Sequence, residues 1–466
     1  MVVGSGPNGL AAAVALAQTG RSVLVLEAAE TAGGGLRSAE LTLPGFTHDV
    51  CSAIHPWPVA SPFLRTLPLA EHGVELVHPR APLAHPFDDG TAVLLERTPD
   101  ETGAFLGDDA AAWARLMEPF VRSAETTLAG ALAPPVPPRH PLALARLGLH
   151  GLRSASGLAR ARFRGERARG LFAGLAAHSM LPLSAPASAS FGLILAVVAH
   201  GFGWPLVRGG SQRLADGLVS YLRSLGGEIE TGRPVEALDD LPPARVVLLD
   251  LTPRGIARLA GSRFSPRYRR QLQRYRYGPG VFKLDWALDR PVPWRSSECT
   301  AAATVHLGAS LSEIAASEAA VARGEHPDRP FVLLAQQSLF DSTRAPAGKH
   351  TLWGYCHVPN GSTVDMTEQI EEQIERFAPG FRDVVISRSA MTAAEVEVYN
   401  PNYVGGDING GVQDLRQLLA RPVPRLVPYS TPDPRIFICS SATPPGGGVH
   451  GMCGYFAAQA ALRALR

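Results

Sequence analysis

Three glycines at fixed spacing stand near the start of the chain, Gly4, Gly6 and Gly9 in the run G-S-G-P-N-G. The chemistry that needs this pattern is diphosphate binding. The first glycine permits a tight turn, the second lets a diphosphate approach the backbone, and the third allows a helix to pack closely on a strand. Pro7 and Asn8 lie within the same loop. Glu27 follows Gly9 by 18 residues, close to the roughly 20 expected of an acid that holds a ribose. An acid there disfavours a 2′-phosphate, which leaves NAD or FAD. A second glycine turn, Gly33-Gly34-Gly35, comes directly after, followed by Leu36 and Arg37. Far along the chain, Lys283 sits in the apolar run V-F-K-L-D-W, where a lysine needs a partner or a wet cavity.

These residues have to be positioned by definite elements. Met1 to Val3 reads as the end of a buried strand, Leu10 to Thr19 as an Ala/Leu-rich helix stopped by Gly20, and Ser22 to Leu26 as a second apolar strand closed by Glu27. Strand, glycine loop, helix, strand and acid in that order is the context a G-x-G-x-x-G run requires. The helix start offers free N–H groups and a positive dipole end to the diphosphate. The expected fold class is α/β, with a Rossmann-like dinucleotide domain.

The glycine loop, the acid, Gly34, Gly35 and Arg37 together resemble the extended FAD fingerprint of the amine oxidase/phytoene desaturase superfamily, in its phytoene desaturase-like branch. That family usually has Gly-Gly-Arg; here Gly35 takes the arginine's place and Arg37 follows two residues on. Later segments carry the resemblance further. Gly209-Gly210-Ser211 precede an amphipathic helix, which leads into a strand read through Val235 (228–235), and V-V-L-L-D-L (246–251) reads as a buried strand ending near Thr252. Near the other end, 435–439 reads as a strand, 440–451 as a glycine loop, and 452–465 as a closing helix. The resemblance implies non-covalent FAD, with Gly4, Gly6, Pro7, Asn8, Gly9, Glu27, Ala28, Gly34, Gly35, Leu36, Arg37, Val235, Thr252, Ser441, Gly448, Val449, His450 and Gly451 in its binding site. Cys453 does not match the linking cysteine of the covalent members. It also implies a discontinuous FAD domain of the GR2 type (1–70, 205–255 and 425–466) with an inserted α+β substrate domain (71–204 and 256–424).

Within the substrate domain, Lys283 resembles the lysine that holds a water beside flavin N5. It stands equally as a partner for Asp285, since residues two apart share a strand face. His55 reads either as a substrate-side residue or as a hydrogen-bonded structural histidine. Residues 74–97, 352–358 and 394–398 read as strands, and 98–204 as mostly helical, with F-G-L-I-L-A-V-V-A (191–199) a buried helix.

Length and composition bound the function. A chain of 466 residues exceeds one core. A net charge of +2 suggests no nucleic-acid partner. The five cysteines, Cys51, Cys299, Cys356, Cys439 and Cys453, form no C-x-x-C pair, so neither a zinc site nor disulfide chemistry is expected. Only Lys283 and Lys349 are lysines among many arginines, alanines, glycines and prolines, a compositional hint of a GC-rich bacterial genome. The apolar start has no basic region of a signal peptide, and no apolar run approaches the roughly 18 residues of a membrane span; a cytoplasmic protein is expected. From Arg139 to Arg169 eight arginines face one acid, Glu166, with leucines interleaved. That stretch reads as a peripheral contact with anionic membrane or as one arginine-rich solvated helix covering the substrate domain. The expected function is an FAD-dependent oxidoreductase passing hydride between flavin and a small, apolar carbon substrate, of desaturase or dehydrogenase type, with oxygen or a quinone as acceptor. An amine or amino-acid oxidase of the same fold, or a non-catalytic flavin-binding protein, are the alternatives.

Overall fold

The computed structural model describes residues 1–134, 138, 140–260 and 262–466. Val2–Val3 is the middle strand of a five-stranded sheet. Leu24–Leu26 and then Glu228–Glu230 lie on one side of it, Val247–Leu249 and then Ile436–Ile438 on the other. Every pairing is parallel. The strands are short and mostly apolar, as expected where helices cover a parallel sheet. The helix Pro7–Ala17 is buried along almost its whole length. It packs on the helix Met452–Ala464 so tightly that a Cβ at Gly454 would lie 1.9 Å from the Asn8 carbonyl oxygen. Alanines and glycine at this contact are what let the two backbones meet.

The second sheet has seven strands in the order Val385–Met391, Gly280–Leu288, His350–Val358, Val332–Ala335, Ala302–Leu307, Ala81–Pro86 and Ala92–Leu95. Only the pairing of Ala302–Leu307 with Ala81–Pro86 is parallel. All nine residues of Gly280–Leu288 are buried. The strand's alternation sorts them: Phe282, Leu284, Trp286 and Leu288 pack into one core with Phe377 and Phe381, whereas Val281 belongs to a second cluster with Leu333, Trp353 and Tyr355. Lys283 and Asp285 share the Val281 face. Helices fill most of 98–204, and the run expected at 191–199 lies inside the buried helix Ser188–Phe202.

Three expectations are corrected. Residues 394–398 are not a strand but part of the helix Ala393–Tyr399. Thr392 Oγ1 accepts the Glu395 N–H at 3.3 Å while Glu395 Oε2 accepts the Thr392 N–H at 2.8 Å. This reciprocal cap starts a helix despite the alternating pattern that follows. The strand read through Val235 stops at Glu230, because the chain turns at Gly232 with φ +64°; Val235 packs beside Leu238 and Leu249 instead. The arginine-rich stretch is three helices rather than one, Pro141–Gly151, Ala155–Arg162 and Glu166–Ala177. Arg139, and Pro135, Val136 and Pro137 of the proline-rich break before it, lie outside the described residues. Among the described residues no helix is long and apolar enough to cross a membrane.

Candidate functional site

The loop between Val2–Val3 and Pro7–Ala17 has the form its glycines require. Gly4 has φ +96°, and a Cβ at Gly9 would lie 2.1 Å from the Gly4 carbonyl oxygen. The second glycine turn rests on the first, since a Cβ at Gly34 would lie 2.9 Å from Gly6 Cα. Gly35 leaves room for Tyr403, whose hydroxyl would stand 2.1 Å from an added Cβ. Glu27 is buried beneath both turns. Its Oε2 accepts the Ser5 N–H (2.9 Å) and hydroxyl (2.5 Å), and its Oε1 accepts the Ala29 N–H at 2.9 Å. Arg37 lies 3.3 Å from the same Oε1, donates to the Thr31 carbonyl at 2.8 Å, and sits over the Tyr399 ring. Arg37 is therefore tied to the acid. Leu36 is fully buried and Ala28 is exposed.

A cavity of roughly 280 Å³ opens beside these turns. One wall is Pro7, Asn8, Gly35, Ser441, Gly448 and Val449; the facing wall includes Val281, Lys283, Thr304, Leu333, Trp353 and Tyr355. Glycine-turn residues expected from distant parts of the sequence thus face one space, and Lys283 faces it too. A second cavity of roughly 500 Å³ shares Trp57, His178, Leu195, Asn409 and Gly448 with the first. Leu144, Leu147, Leu152, Phe191 and Leu419 line it, and it reaches the surface where Leu152 is 56% and Leu419 69% exposed.

Lys283 pairs with its strand neighbour and also lines the first cavity. Its ammonium is paired with Asp285 Oδ2, and both side chains are almost wholly buried. Burial raises the Asp285 carboxyl to about 6 despite that neighbour. Asp285 Oδ1 has His48 Nδ1 at 3.5 Å without a hydrogen bond, and burial pushes His48 down to about 3, so it is neutral. Among the described residues lining the first cavity, Lys283 alone carries a charge. His178 presents an imidazole that burial, aided by His357, holds neutral; its Nε2 lies 3.0 Å from His306 Nε2.

Of the remaining expected residues, His450 lines a cavity and His55, Thr252, Gly451 and Cys453 do not. His55 does not line either cavity, which corrects its substrate-side reading: it is fully buried and its Nε2 bonds Ser211 Oγ at 2.7 Å. Thr252 caps the helix Pro253–Leu259 and donates its N–H to Asn402 Oδ1 at 2.9 Å. His450 lines the second cavity; its Nδ1 accepts the Met452 N–H at 3.0 Å, and its Nε2 is without a partner. Gly451, at φ +68°, begins the closing helix. Cys453 is buried away from both cavities, its thiol raised to about 11 by burial.

The glycine loop and acid agree with the comparisons. A family of NAD(P)-binding Rossmann-like domains matches residues 2–67. Pyridine nucleotide-disulfide oxidoreductase domain-containing protein 2 of Mus musculus is 26% identical over 555 aligned residues, covering 100% of this chain and 93% of that protein. The Rattus norvegicus protein of the same name is 27% identical over 302 residues, and there the chain spans only 52% of that relative's length. Among solved structures, an oxidoreductase from Methanosarcina mazei superposes with TM-score 0.67 at 16% identity, over 99% of each chain. An engineered putrescine oxidase superposes with TM-score 0.63 at 18% identity, over 100% of this chain and 98% of that one. The chain is thus similar along its length to a protein named as an oxidoreductase domain-containing protein. The chain has the amine oxidase fold, and its Rossmann-like domain implies a dinucleotide cofactor.

Site residues that the sequence did not single out are Asp250, Asn402, Tyr403, His178, Trp204, Trp353 and Tyr355. Asp250 had a visible signal, an acid ending an apolar run as Glu27 does. Asn402 bonds the Asp250 carbonyl, and the others line the space only because strands and loops far apart in sequence converge there.

Proposed function

We propose that the cofactor is FAD, bound non-covalently, and that the enzyme transfers hydride between it and an apolar carbon substrate. The residues present fit such a group. Asn8 is 5% exposed, lines the first cavity and leaves its Oδ1 unpartnered. Ser441, Gly448 and Val449 would meet the ring system, while Glu27 and the glycine turns would hold the ribose and diphosphate. When bound, FAD supplies hydride acceptance or donation.

The chain's own part is to bind, orient and keep water out. The observation that carries the apolar reading is the substrate wall itself. It consists largely of Ile54, Leu195, Trp204, Leu333, Trp353 and Tyr355, with no carboxylate and no guanidinium among the described lining residues. A small cation has no counter-charge there, and its desolvation would go uncompensated. Lys283, anchored by Asp285, holds a fixed positive charge where reduction would place negative charge. His178 offers a neutral hydrogen-bonding group. The second cavity, with its leucine mouth, provides a long apolar approach. The half-exposed or fully exposed Leu142, Leu149 and Leu152, beside Arg146 and Arg153, support peripheral contact with an anionic membrane. Oxygen or a quinone would take the electrons onward.

One observation favours a second reading, an amine oxidase. Trp353 and Tyr355 stand nearly perpendicular, 85° apart with centroids at 5.3 Å, and both face the cavity; aromatic faces of this kind receive amines. Anaerobic mixing separates the two. An apolar polyene panel should bleach the flavin while putrescine and benzylamine do not; bleaching by the amines alone would overturn the apolar reading.

A further inference from the structure

Asp250 follows directly on the strand Val247–Leu249, and its side chain turns into the glycine loop. Its Oδ2 accepts the Gly9 N–H at 2.9 Å. Gly6 also lies against this carboxyl, where an added Cβ would stand 2.7 Å from Oδ2. A buried acid thus reaches into the backbone nest that a dinucleotide's diphosphate approaches. Glu27 is already a nearby negative charge. An ionised Asp250, Glu27 and a diphosphate cannot crowd into one low-dielectric pocket without a large repulsion. We propose that Asp250 is the proton-carrying acid of the cofactor seat, so that well above neutrality each FAD bound draws about one proton from solvent onto the Asp250 carboxyl. This rests on the FAD reading above.

The surroundings agree. Burial, with Glu27 adding to it, raises the Asp250 carboxyl to about 7, so the proton is readily available near neutrality. The other titratable groups that feel Asp250 are Tyr403 from the loop after the helix Ala393–Tyr399, Cys439 at the end of the last parallel strand, and Cys453 on the closing helix. Burial pushes all three upward, Cys453 to about 11, so they stay neutral from pH 6 to 9. Glu27 is held by Arg37 at 3.3 Å. Asn402 Nδ2 donates to the Asp250 carbonyl and leaves the carboxyl alone. Asp250 is therefore the group whose charge changes in that range. The diphosphate keeps both its charges there, and a neutral acid can donate a hydrogen bond to it.

The sign follows. The added negative charge raises the Asp250 pKa further in the complex, so affinity is constant below the free protein's pKa and falls above it. With one linked proton, the FAD dissociation constant should rise about a hundredfold between pH 6 and pH 9. The measurement is FAD fluorescence quenching by deflavinated protein across that range. Asp250→Asn, neutral and of equal size, should bind as the wild type does at pH 6 and show no slope. A flat wild-type profile, an unchanged slope in Asp250→Asn, or a folded Asp250→Asn that holds no FAD at any pH would each overturn the proposal. If that variant does not fold, calorimetry of the wild type at pH 8 in two buffers of different ionisation enthalpy decides: uptake near one proton supports the linkage and uptake of none overturns it. No FAD binding at any pH would sink the cofactor reading and this inference with it. Tight binding without a slope would sink this inference alone.

Discussion

Replacing Lys283 by methionine tests how a buried charge pair behaves when one partner is removed. The methionine keeps the apolar stem and leaves Asp285 without its cation. A buried charge stranded in this way costs about 3–5 kcal/mol when it has no escape. Asp285 has one, because burial already holds its carboxyl at about 6 beside the lysine. Without the lysine it simply takes up a proton, since His48 at 3.5 Å is neutral and offers no replacement charge. The loss is then limited to the ionisation free energy that the lysine was supporting. One pH unit above 6 that is about 1 kcal/mol, two units above it about 3 kcal/mol, and below 6 it vanishes. The sign is that of an anion stabilised by its partner, so the deficit grows with pH. Urea unfolding of wild type and Lys283→Met at pH 5.5, 7 and 8 reads this directly. Equal deficits at pH 5.5 and pH 8 would refute the protonation escape. The same variant should keep its flavin and reoxidise more slowly in oxygen; an unchanged reoxidation rate would leave Lys283 only its partnership with Asp285.

Glu27→Ala should purify largely without flavin and also lose about 1–3 kcal/mol of stability, because the Ser5 and Ala29 amides lose their buried acceptor; full flavin occupancy would count against the ribose role. Leu142, 86% exposed, and Leu149, 75% exposed, project from the helix Pro141–Gly151. Changing both to glutamate should abolish flotation with anionic liposomes, and flotation of the wild type that ignores anionic lipid content would remove the membrane contact. Acid precipitation should release the yellow colour into the supernatant, whereas colour retained in the pellet would mean a covalent flavin.

The parts of the site that were legible are those built from near neighbours. The glycine loop, its helix and Glu27 lie within one short stretch, so spacing alone announces them. The pairing of Lys283 with Asp285 needs only the two-residue period of a strand. Asp250 carried a local signal, an acid ending an apolar run, but its contact with the glycine loop was not legible. It reaches Gly9 because Val2 and Val3 pair with Leu248 and Leu249 in parallel register, a contact no local pattern encodes. His55 was ambiguous for the same reason: its partner Ser211 is 156 residues away. The helix at Ala393–Tyr399 was misread although its signal was present, since Thr392 and Glu395 form the reciprocal cap and the alternation of apolar and acidic residues drew attention from it. The buried Asp49–Arg344 pair, 2.6 Å apart and also holding the Ser211 N–H at 2.7 Å, joins three distant segments and has no sequence signature.

The central place of Val2–Val3 in its sheet bears on how the protein is made. That strand can pair with Leu24–Leu26 almost as soon as both are synthesised, but its other edge waits for Val247–Leu249. The hydrogen bond that joins Asp250 to the glycine loop links residues 241 apart. Throughout that interval a growing chain carries an apolar strand with one bare edge, the condition in which nascent chains mispair and aggregate. Contacts so distant in sequence also slow folding. Biogenesis of this protein is therefore expected to depend on chaperone shielding of Val2–Val3, and the contact between the glycine loop and Asp250 forms only after the chain between them has been synthesised.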